Sequence, residues 1–237
     1  MIELYQFAPA WGLNVSPFCK KVETYCQLAG IDYKAKSAMP FKAPRGKLPF
    51  IIDKGATIPD SEKILAYLKA TYGDPLDEGL TTEQKAIGHL LRQTCEQSLY
   101  FAIVFSRWLD ADIWPKIREA FFGQMPPGVR TVLPALIHKS VKKQLCGQGY
   151  GRYPQDELYE LAALDLSAIS WQLAHSKFAV GESITSYDAT VYAFLFNVLR
   201  VPLDTPIKRE ALKLKPLSLY LDRVEQILKS KAAQSAG

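Results

Sequence analysis

The chain has 237 residues, of which 48% are hydrophobic and 22% are charged. That length is enough for one large domain or two small ones with a sizeable core. The formal net charge of +5 is spread along the chain, apart from a cluster at His138, Lys139, Lys142 and Lys143. At helical spacing the cluster is typical of a solvated helix face rather than of a nucleic-acid or lipid patch. There is no zinc-finger spacing and no basic stripe interleaved with aromatics, so we expect neither nucleic-acid binding nor a bound metal.

The N-terminal sequence, the length of the apolar runs and the number of cysteines indicate the cellular compartment. The start "MIELYQFAP" lacks a charged segment followed by a long apolar run, so no signal peptide is expected. No apolar run reaches about 18 residues, so no membrane-spanning helix is expected. Four cysteines are too few for a disulfide framework in a chain of 237 residues. A reducing, cytoplasmic setting is therefore predicted.

The first 75 residues alternate short strand and helix patterns. Residues 1–7 read as a strand and residues 17–29 as a helix with one apolar face. "DYKAKS" is a candidate second strand, and "KLPFIID" and "GATI" read as two further strands joined by a turn. "SEKILAYLKATYG" closes the region as a helix that stops at Gly73. This order predicts a small α/β domain over residues 1–75.

The rest of the chain reads as helices. Residues 76–80, within "GDPLDEGL", are predicted to be a linker, and residues 81–237 an all-helical domain. Helical patterns run over residues 82–110, 127–146, 155–175 and 188–200. The last of these, "DATVYAFLFNVLR", is apolar on nearly every face and should be central and buried. Only the final residues, "KAAQSAG", have a composition that favours disorder.

The stretch "GLNVSPFCKKVETYCQLAG", residues 12–30, is the first candidate for chemistry. Ser16 is a good N-cap, and Pro17 suits the first helical position. A helix N-terminus with a hydroxyl can stabilise a thiolate, because its free N–H groups carry partial positive charge. Cys19, one turn in, could have a lowered pKa there. The simpler alternatives are that Ser16 only caps the helix and that Cys19 is a small buried hydrophobe.

Two further motifs point to peptide recognition. In "GKLPFIID", Pro49 cannot donate to a strand ladder, and a cis bond before it would turn the backbone of Leu48 outward. Leu48 could then pair with an extended peptide, although Pro49 could also simply begin a strand. In "IPDSEKIL", Asp60 and Ser61 precede an amphipathic helix. They either cap that helix or hold a carboxylate at its N-terminus.

Three blocks together resemble the cytosolic glutathione transferase superfamily. They are "VSPFCKKVETYCQLAGIDY", "GKLPFIIDKGATIPDSEKILAYL" and "SITSYDATVYAFL". The resemblance covers essentially the whole chain and implies a thioredoxin-like N-terminal domain followed by a helical-bundle C-terminal domain. The segment "GYGRYPQDELYELAALDLSAIS" looks most like the branch of failed-axon-connection and metaxin-like proteins.

The resemblance implies a role for each motif residue. Ser16 falls where serine- and cysteine-type members place the group that acts on the glutathione sulfur. Pro49 falls on the cis-proline, and Leu48 on the residue whose backbone pairs with the cysteinyl part of glutathione. Tyr5, in the first strand, is an alternative source of a catalytic hydroxyl, but it is expected to belong to the core.

The remaining family positions concern the two ends of glutathione. Asp60 and Ser61 fall on the acidic-Ser pair that holds the γ-glutamyl end; the pair usually reads Glu-Ser, so the reach of Asp60 is slightly shorter. Lys47 is a candidate for the glycyl carboxylate. Thr185 and Asp188 match the family's helix capping box and are expected to be structural.

The implied activity is conjugation of glutathione, as co-substrate, to a small apolar electrophile. A thiol pKa near 8.5 needs a decrease of only about 1 to 2 units to be largely ionised near neutral pH. The thiolate would attack an electrophile held by Trp11, Phe18 and Trp108, with Tyr100 nearby; the loop "APAWGLNV" is long enough to bring Trp11 over the site. A homodimer is the expected assembly.

Two other functions stay open. One is a non-catalytic interaction or scaffold protein with the same fold, as the metaxin resemblance allows. The other is a glutathione-dependent thiol–disulfide enzyme that uses Cys19. Position 16 is Ser, so the first cysteine of a CxxC pair is missing, and the spacing of Cys19, Val22 and Cys26 predicts that both sulfurs are buried against the sheet. Cys19 is therefore not expected to be the nucleophile.

Overall fold

A four-stranded sheet forms the N-terminal layer of the computed structural model, which describes residues 1–235. The strands are β1 (Ile2–Gln6), β2 (Tyr33–Ser37), β3 (Phe50–Asp53) and β4 (Ala56–Pro59), in the order β2-β1-β3-β4. β1 is parallel to β2 and antiparallel to β3, and β3 is antiparallel to β4. Each strand lies where its sequence pattern predicts it.

Two helices, α1 (Pro17–Ala29) and α2 (Ser61–Tyr72), share a core with the sheet. Val22 and Cys26 of α1 and Ile64 and Leu68 of α2 are fully buried together with Leu4 of β1. α1 ends at Gly30, whose φ of 69° is a left-handed conformation that glycine adopts without a steric cost. The predicted thioredoxin-like layer is confirmed.

The rest of the described chain is helical. Its helices are α3 (Thr82–Gln93), α4 (Tyr100–Trp108), α5 (Trp114–Phe122), α6 (Pro127–Gln148), α7 (Gln155–His175), α8 (Ser186–Leu199), α9 (Pro206–Lys213) and α10 (Lys215–Ser235). The fold class is therefore α/β plus all-α, as predicted. The position of the domain boundary at residues 76–80 stays a prediction. No helix within residues 1–235 is both long enough and apolar enough to cross a membrane.

The structure corrects the predicted helices in three places. The continuous helix expected over residues 82–110 is two helices, α3 and α4, joined by a π-helical turn at Thr94–Leu99. The sequence patterns also did not reveal the short helices α5 and α9 or the long helix α10. The end of the chain was expected to be disordered, but α10 continues to Ser235; the last two residues of "KAAQSAG" lie outside the described residues.

α8 is the central helix of the helical layer, as its apolar sequence predicts. All of its residues except Tyr187 are buried, and it packs against α1 of the N-terminal layer. Its N-terminus is the predicted capping box: Asp188 accepts hydrogen bonds from the Thr185 backbone N–H and hydroxyl, both at 2.8 Å. The same carboxylate accepts from the Ala179 N–H at 2.8 Å and the Tyr220 hydroxyl at 2.9 Å. It therefore ties α8 to α10.

Candidate functional site

Ser16 is the N-cap of α1. Its hydroxyl oxygen accepts a hydrogen bond from the Cys19 N–H at 3.4 Å, and its own N–H donates to the Asn14 side-chain oxygen at 3.3 Å. Asn14 in turn donates to the Gln6 side chain at 3.0 Å, which ties the loop to the end of β1. Because a serine hydroxyl is one donor and two acceptors, accepting from the backbone leaves its proton available for a sulfur, and the Cys19 sulfur is one such acceptor within reach.

Cys19 is fully buried one turn into the helix. Burial raises the pKa of its thiol to about 11, and hydrogen bonds from Ser16 and the Phe7 backbone offset only part of that shift. Cys26 is buried too, and burial raises the pKa of its thiol to about 12. A buried apolar thiol with a raised pKa is inert, so the predicted exclusion of Cys19 as nucleophile is supported by its environment.

The Leu48–Pro49 bond is cis, as the family resemblance implies. Leu48 is buried in one cluster with Cys19 and Phe50, which places the segment before β3 beside the first turn of α1. Pairing of β3 with its neighbours begins at Phe50, which lies opposite Tyr5 and Pro59. The backbone of Leu48 therefore lies outside the sheet's own ladder pairs, where an extended peptide can pair with it.

Asp60 caps α2 through its side chain, which accepts from the Glu62 and Lys63 N–H groups at 3.1 and 3.5 Å. Its φ of 79° is sparsely populated for a residue with a Cβ, and such strain is commonly retained at ligand sites. Ser61 is the first residue of α2, and its side chain is buried. The cap does not use the N–H of Ser61, which can therefore bind an anion at this helix N-terminus.

The sheet brings these segments together. Phe50 lies opposite Pro59 in the β3–β4 register, so the preceding Pro49 lies near the following Asp60. The cluster of Cys19, Leu48 and Phe50 adds the first turn of α1 to the same end of the sheet. The predicted thiol site, peptide-pairing strand and carboxylate site thus adjoin one another. Lys47 is exposed directly before Leu48.

Tyr5 packs against the Cys19–Leu48–Phe50 cluster of this site, but its hydroxyl is already engaged. Its ring stacks on Phe50 with centroids 4.4 Å apart, and its hydroxyl donates to the Glu3 carboxylate at 2.9 Å. The side chain is half-buried rather than in the deep core. Because its hydroxyl is committed to Glu3, Ser16 remains the better candidate to act on a sulfur.

The three residues predicted to hold the electrophile lie in different surroundings. Phe18 packs edge-on against Tyr100 and Phe194, with centroids 4.9 and 5.5 Å away, in the core of the helical layer. Trp108 belongs to a separate cluster with Ala10 and Val15 of the β1–α1 loop. Trp11 is 41% exposed. The structure does not join the three into one wall, so their role as a pocket stays a prediction.

Two cavities lie elsewhere. A cavity of about 10 Å³ lies between α4, α8 and the segment before α9. One of about 300 Å³ opens between α5 and α6, and its lining consists of Trp114, Pro115, Arg118, Glu119 and Arg130. Ser16, Leu48 and Ser61 line neither of these two cavities; the surface between these three residues, at the end of the sheet, is called the groove below. Within residues 1–235, no group of three His, Cys, Asp or Glu side chains could hold a metal ion.

Sequence reasoning missed a buried ion cluster beneath α2. Lys21 of α1 is fully buried and binds Glu96 of the π-helical turn at 2.6 Å. Lys21 also pairs with Glu62, which pairs with Arg92 of α3. The cluster links both layers next to Ser61. A lysine within an amphipathic pattern reads as exposed, so no local signal identifies it.

A second missed feature is Arg107, near the end of α4. Its guanidinium donates to the backbone carbonyl of Val15 at 2.6 Å and to the carbonyl and side-chain oxygens of Asn197 at 2.7 and 3.1 Å. Val15 directly precedes Ser16. Arg107 therefore contacts the candidate site from the helical layer.

Comparison with known families identifies the class of protein. Residues 17–113 match the family model of the glutathione S-transferase N-terminal domain, and residues 162–224 match that of the glutathione S-transferase C-terminal domain. Together with the relatives below, these matches show that the chain belongs to the glutathione S-transferase family.

Three relatives indicate to which branch of the family the chain is similar. The chain is 32% identical over 213 residues to an isoprene-epoxide–glutathione S-transferase from Rhodococcus sp., an alignment that covers 85% of this chain and 88% of that protein. It is 30% identical to Failed axon connections from Drosophila melanogaster, over 82% of this chain and 49% of that protein. It is 27% identical to mouse metaxin-1, and that alignment covers 85% of this chain and 67% of metaxin-1. The predicted branch is confirmed.

Solved structures support the same fold. A crystal structure of a β-etherase from Sphingobium sp. superposes with a TM-score of 0.68 at 16% identity, and the match covers 98% of this chain and 99% of that one. At that identity the likeness concerns the fold alone.

Proposed function

We propose that this protein binds glutathione along the groove at Leu48, ionises its thiol at Ser16 and transfers the thiolate to a small apolar electrophile. The observation that carries the proposal is the convergence of three features at one end of the sheet. They are the Ser16-capped N-terminus of α1, the Leu48–Pro49 segment outside the ladder, and the N-terminus of α2 at Ser61.

Each feature suits one part of glutathione. The extended backbone of the tripeptide would pair with Leu48 as an added strand. The γ-glutamyl carboxylate would accept from the first N–H groups of α2, beside Ser61. Lys47, exposed directly before Leu48, would bind the glycyl carboxylate. The sulfur would then lie at the N-terminus of α1, where the Ser16 hydroxyl and the helix dipole favour the thiolate.

We propose an alkene epoxide as the electrophile to test first, because the Rhodococcus relative is named for isoprene epoxide. The ionised sulfur attacks an epoxide carbon, the new S–C bond forms as the C–O bond breaks, and the resulting alkoxide takes a proton from solvent. The product is a hydroxyalkyl thioether of glutathione. No redox partner is needed.

The test is product formation. Purified protein is incubated with glutathione and a small alkene epoxide, and the thioether is measured by mass spectrometry against a protein-free control. We expect a rate above the control that saturates with glutathione. Saturable glutathione binding without thioether formation from epoxides or other apolar electrophiles would contradict the transfer step.

That contrary result would favour a second function, a non-catalytic interaction protein. The similarity to Failed axon connections and metaxin-1 supports this candidate. The burial of Cys19 argues against thiol–disulfide chemistry. A homodimeric state and a cytoplasmic location remain part of the proposal; the four unpaired cysteines agree with a reducing setting.

A further inference from the structure

Arg107 is a charged side chain buried at the junction of the two layers. It lies in α4, is 8% exposed and directs its guanidinium at Val15 and Asn197. Within residues 1–235 no carboxylate forms an ion pair with it. Burial lowers the pKa of Arg107 to about 10, which leaves it protonated at neutral pH. An unpaired buried cation is costly, so its contacts call for an explanation.

The contact to Val15 acts on the peptide group that enters Ser16. Arg107 holds the carbonyl of that peptide at 2.6 Å, and the Asn14 side chain holds its N–H at 3.3 Å. The peptide plane is thus fixed on both sides. The orientation of this plane helps to set the φ of Ser16, which is −101°. In that conformation the Ser16 hydroxyl oxygen accepts a hydrogen bond from the Cys19 N–H.

The surroundings of Arg107 argue against a ligand-binding role. The cavity beside it, lined by Ser106 and Asn197 among others, has a volume of about 10 Å³. That is room for about one water molecule and too small for an organic anion. The guanidinium therefore acts on the protein's own backbone.

We infer that Arg107 is a positioning residue for Ser16, one that fixes the Val15–Ser16 peptide and adds uncompensated positive charge behind the thiol site. This inference rests on the proposed function. It assigns to the helical layer a part in ionising a thiol that is bound by the N-terminal layer. A purely structural role would affect stability without changing the ionisation of bound glutathione.

The experiment measures the pKa of protein-bound glutathione from the ultraviolet absorbance of its thiolate across pH. The variants are Arg107→Met, which removes the charge and the hydrogen bonds, and Arg107→Lys, which keeps the charge but cannot reach both Val15 and Asn197. Leu166→Ala is the matched control, because it destabilises the helical core away from the groove. Thermal unfolding and circular dichroism verify that each variant is folded.

We expect Arg107→Met to raise the pKa of the bound thiol by roughly half a unit, because the hydrogen bond that fixes the Val15–Ser16 peptide and the positive charge beyond that peptide are both removed. Arg107→Lys, the variant more certain to fold, should raise it by a smaller amount and lower kcat at saturating glutathione, with KM for glutathione nearly unchanged. Leu166→Ala should lower the melting temperature and leave the thiol pKa unchanged.

Two results would overturn the inference. A folded Arg107→Lys or Arg107→Met protein with the same thiol pKa and kcat as the unsubstituted protein would overturn it while leaving the proposed function intact. Absence of any thiolate signal from glutathione on the unsubstituted protein would overturn the proposed function, and this inference with it.

Discussion

Ser16 combines a cap and a candidate catalytic hydroxyl in one side chain. Replacing it with Ala removes a cap hydrogen bond of 3.4 Å, so the free energy of unfolding should fall by about 0.5–2 kcal/mol, toward the lower end because the bond is long. We expect a loss of conjugation rate at saturating glutathione, since thiolate stabilisation rather than binding is removed. Steady-state kinetics and urea unfolding measure the two effects.

Thr205→Ala is the matched control for that substitution. Thr205 caps α9 by accepting from the Lys208 N–H at 3.1 Å, in the helical layer. It should cost a similar free energy and leave the rate unchanged. Ser16→Ala protein that keeps the full rate and the same pH profile would show that backbone N–H groups alone stabilise the thiolate.

Cys19 should be dispensable for transfer. Since burial raises the pKa of its thiol to about 11, it is almost entirely protonated at pH 7 and gains thiolate only as the pH approaches that value. Cys19→Ala should therefore keep most of the rate. In the native protein, alkylation monitored by peptide mass spectrometry should label Cys146, which is only half-buried, well before Cys19. Rapid alkylation of Cys19 that glutathione prevents would instead indicate thiol–disulfide chemistry.

The N-terminus of α8 depends on a single buried side chain, that of Asp188. Asp188→Ala leaves the Thr185 N–H and hydroxyl, the Ala179 N–H and the Tyr220 hydroxyl without this acceptor. Each buried donor that loses its partner costs about 1–3 kcal/mol, so the four donors together predict a loss of at least about 4 kcal/mol in the free energy of unfolding. Urea denaturation measures it. Asp204→Ala is the control, because Asp204 forms an exposed ion pair with Arg209 whose loss should cost less than about 1 kcal/mol. Equal effects of Asp188→Ala and Asp204→Ala would contradict the proposed importance of the capping box of α8.

The helix starts and the strands could be predicted from local patterns, because capping residues and the alternation of apolar and polar residues depend on neighbours in sequence. Ser16, Asp60 and Thr185 are such cases. Arg107 could not be found this way, since its partner Val15 is 92 positions away. α5 and α9 are too short for a periodic signal, and the π-helical turn within residues 82–110 has no breaker to mark it. The pocket role of Trp11 was predicted from the length of its loop, and the roles of Phe18 and Trp108 from their aromatic character. Neither property determines which side chains line one pocket.

Across the whole molecule, the two layers are joined by the ion cluster at Lys21. Lys21→Met should cost about 3–5 kcal/mol of unfolding free energy, because it leaves the Glu96 carboxylate, whose pKa burial already raises, without its cation. Adding Glu96→Leu should recover much of that loss, since no buried charge then remains unpaired. Denaturant unfolding of both single variants and the double variant tests the coupling; purely additive losses would contradict it.

Calorimetric titration of glutathione onto the purified protein tests most directly whether the groove at Ser16, Leu48 and Ser61 is a glutathione site. We expect saturable heat with one site per chain at millimolar glutathione or below. Ser61→Pro, which suits the first helical position but removes the N–H assigned to the γ-glutamyl carboxylate, should weaken it, whereas Thr205→Ala should not. Absence of saturable binding at millimolar glutathione, with the protein shown to be folded, would contradict the assignment of the groove and favour the interaction-protein alternative.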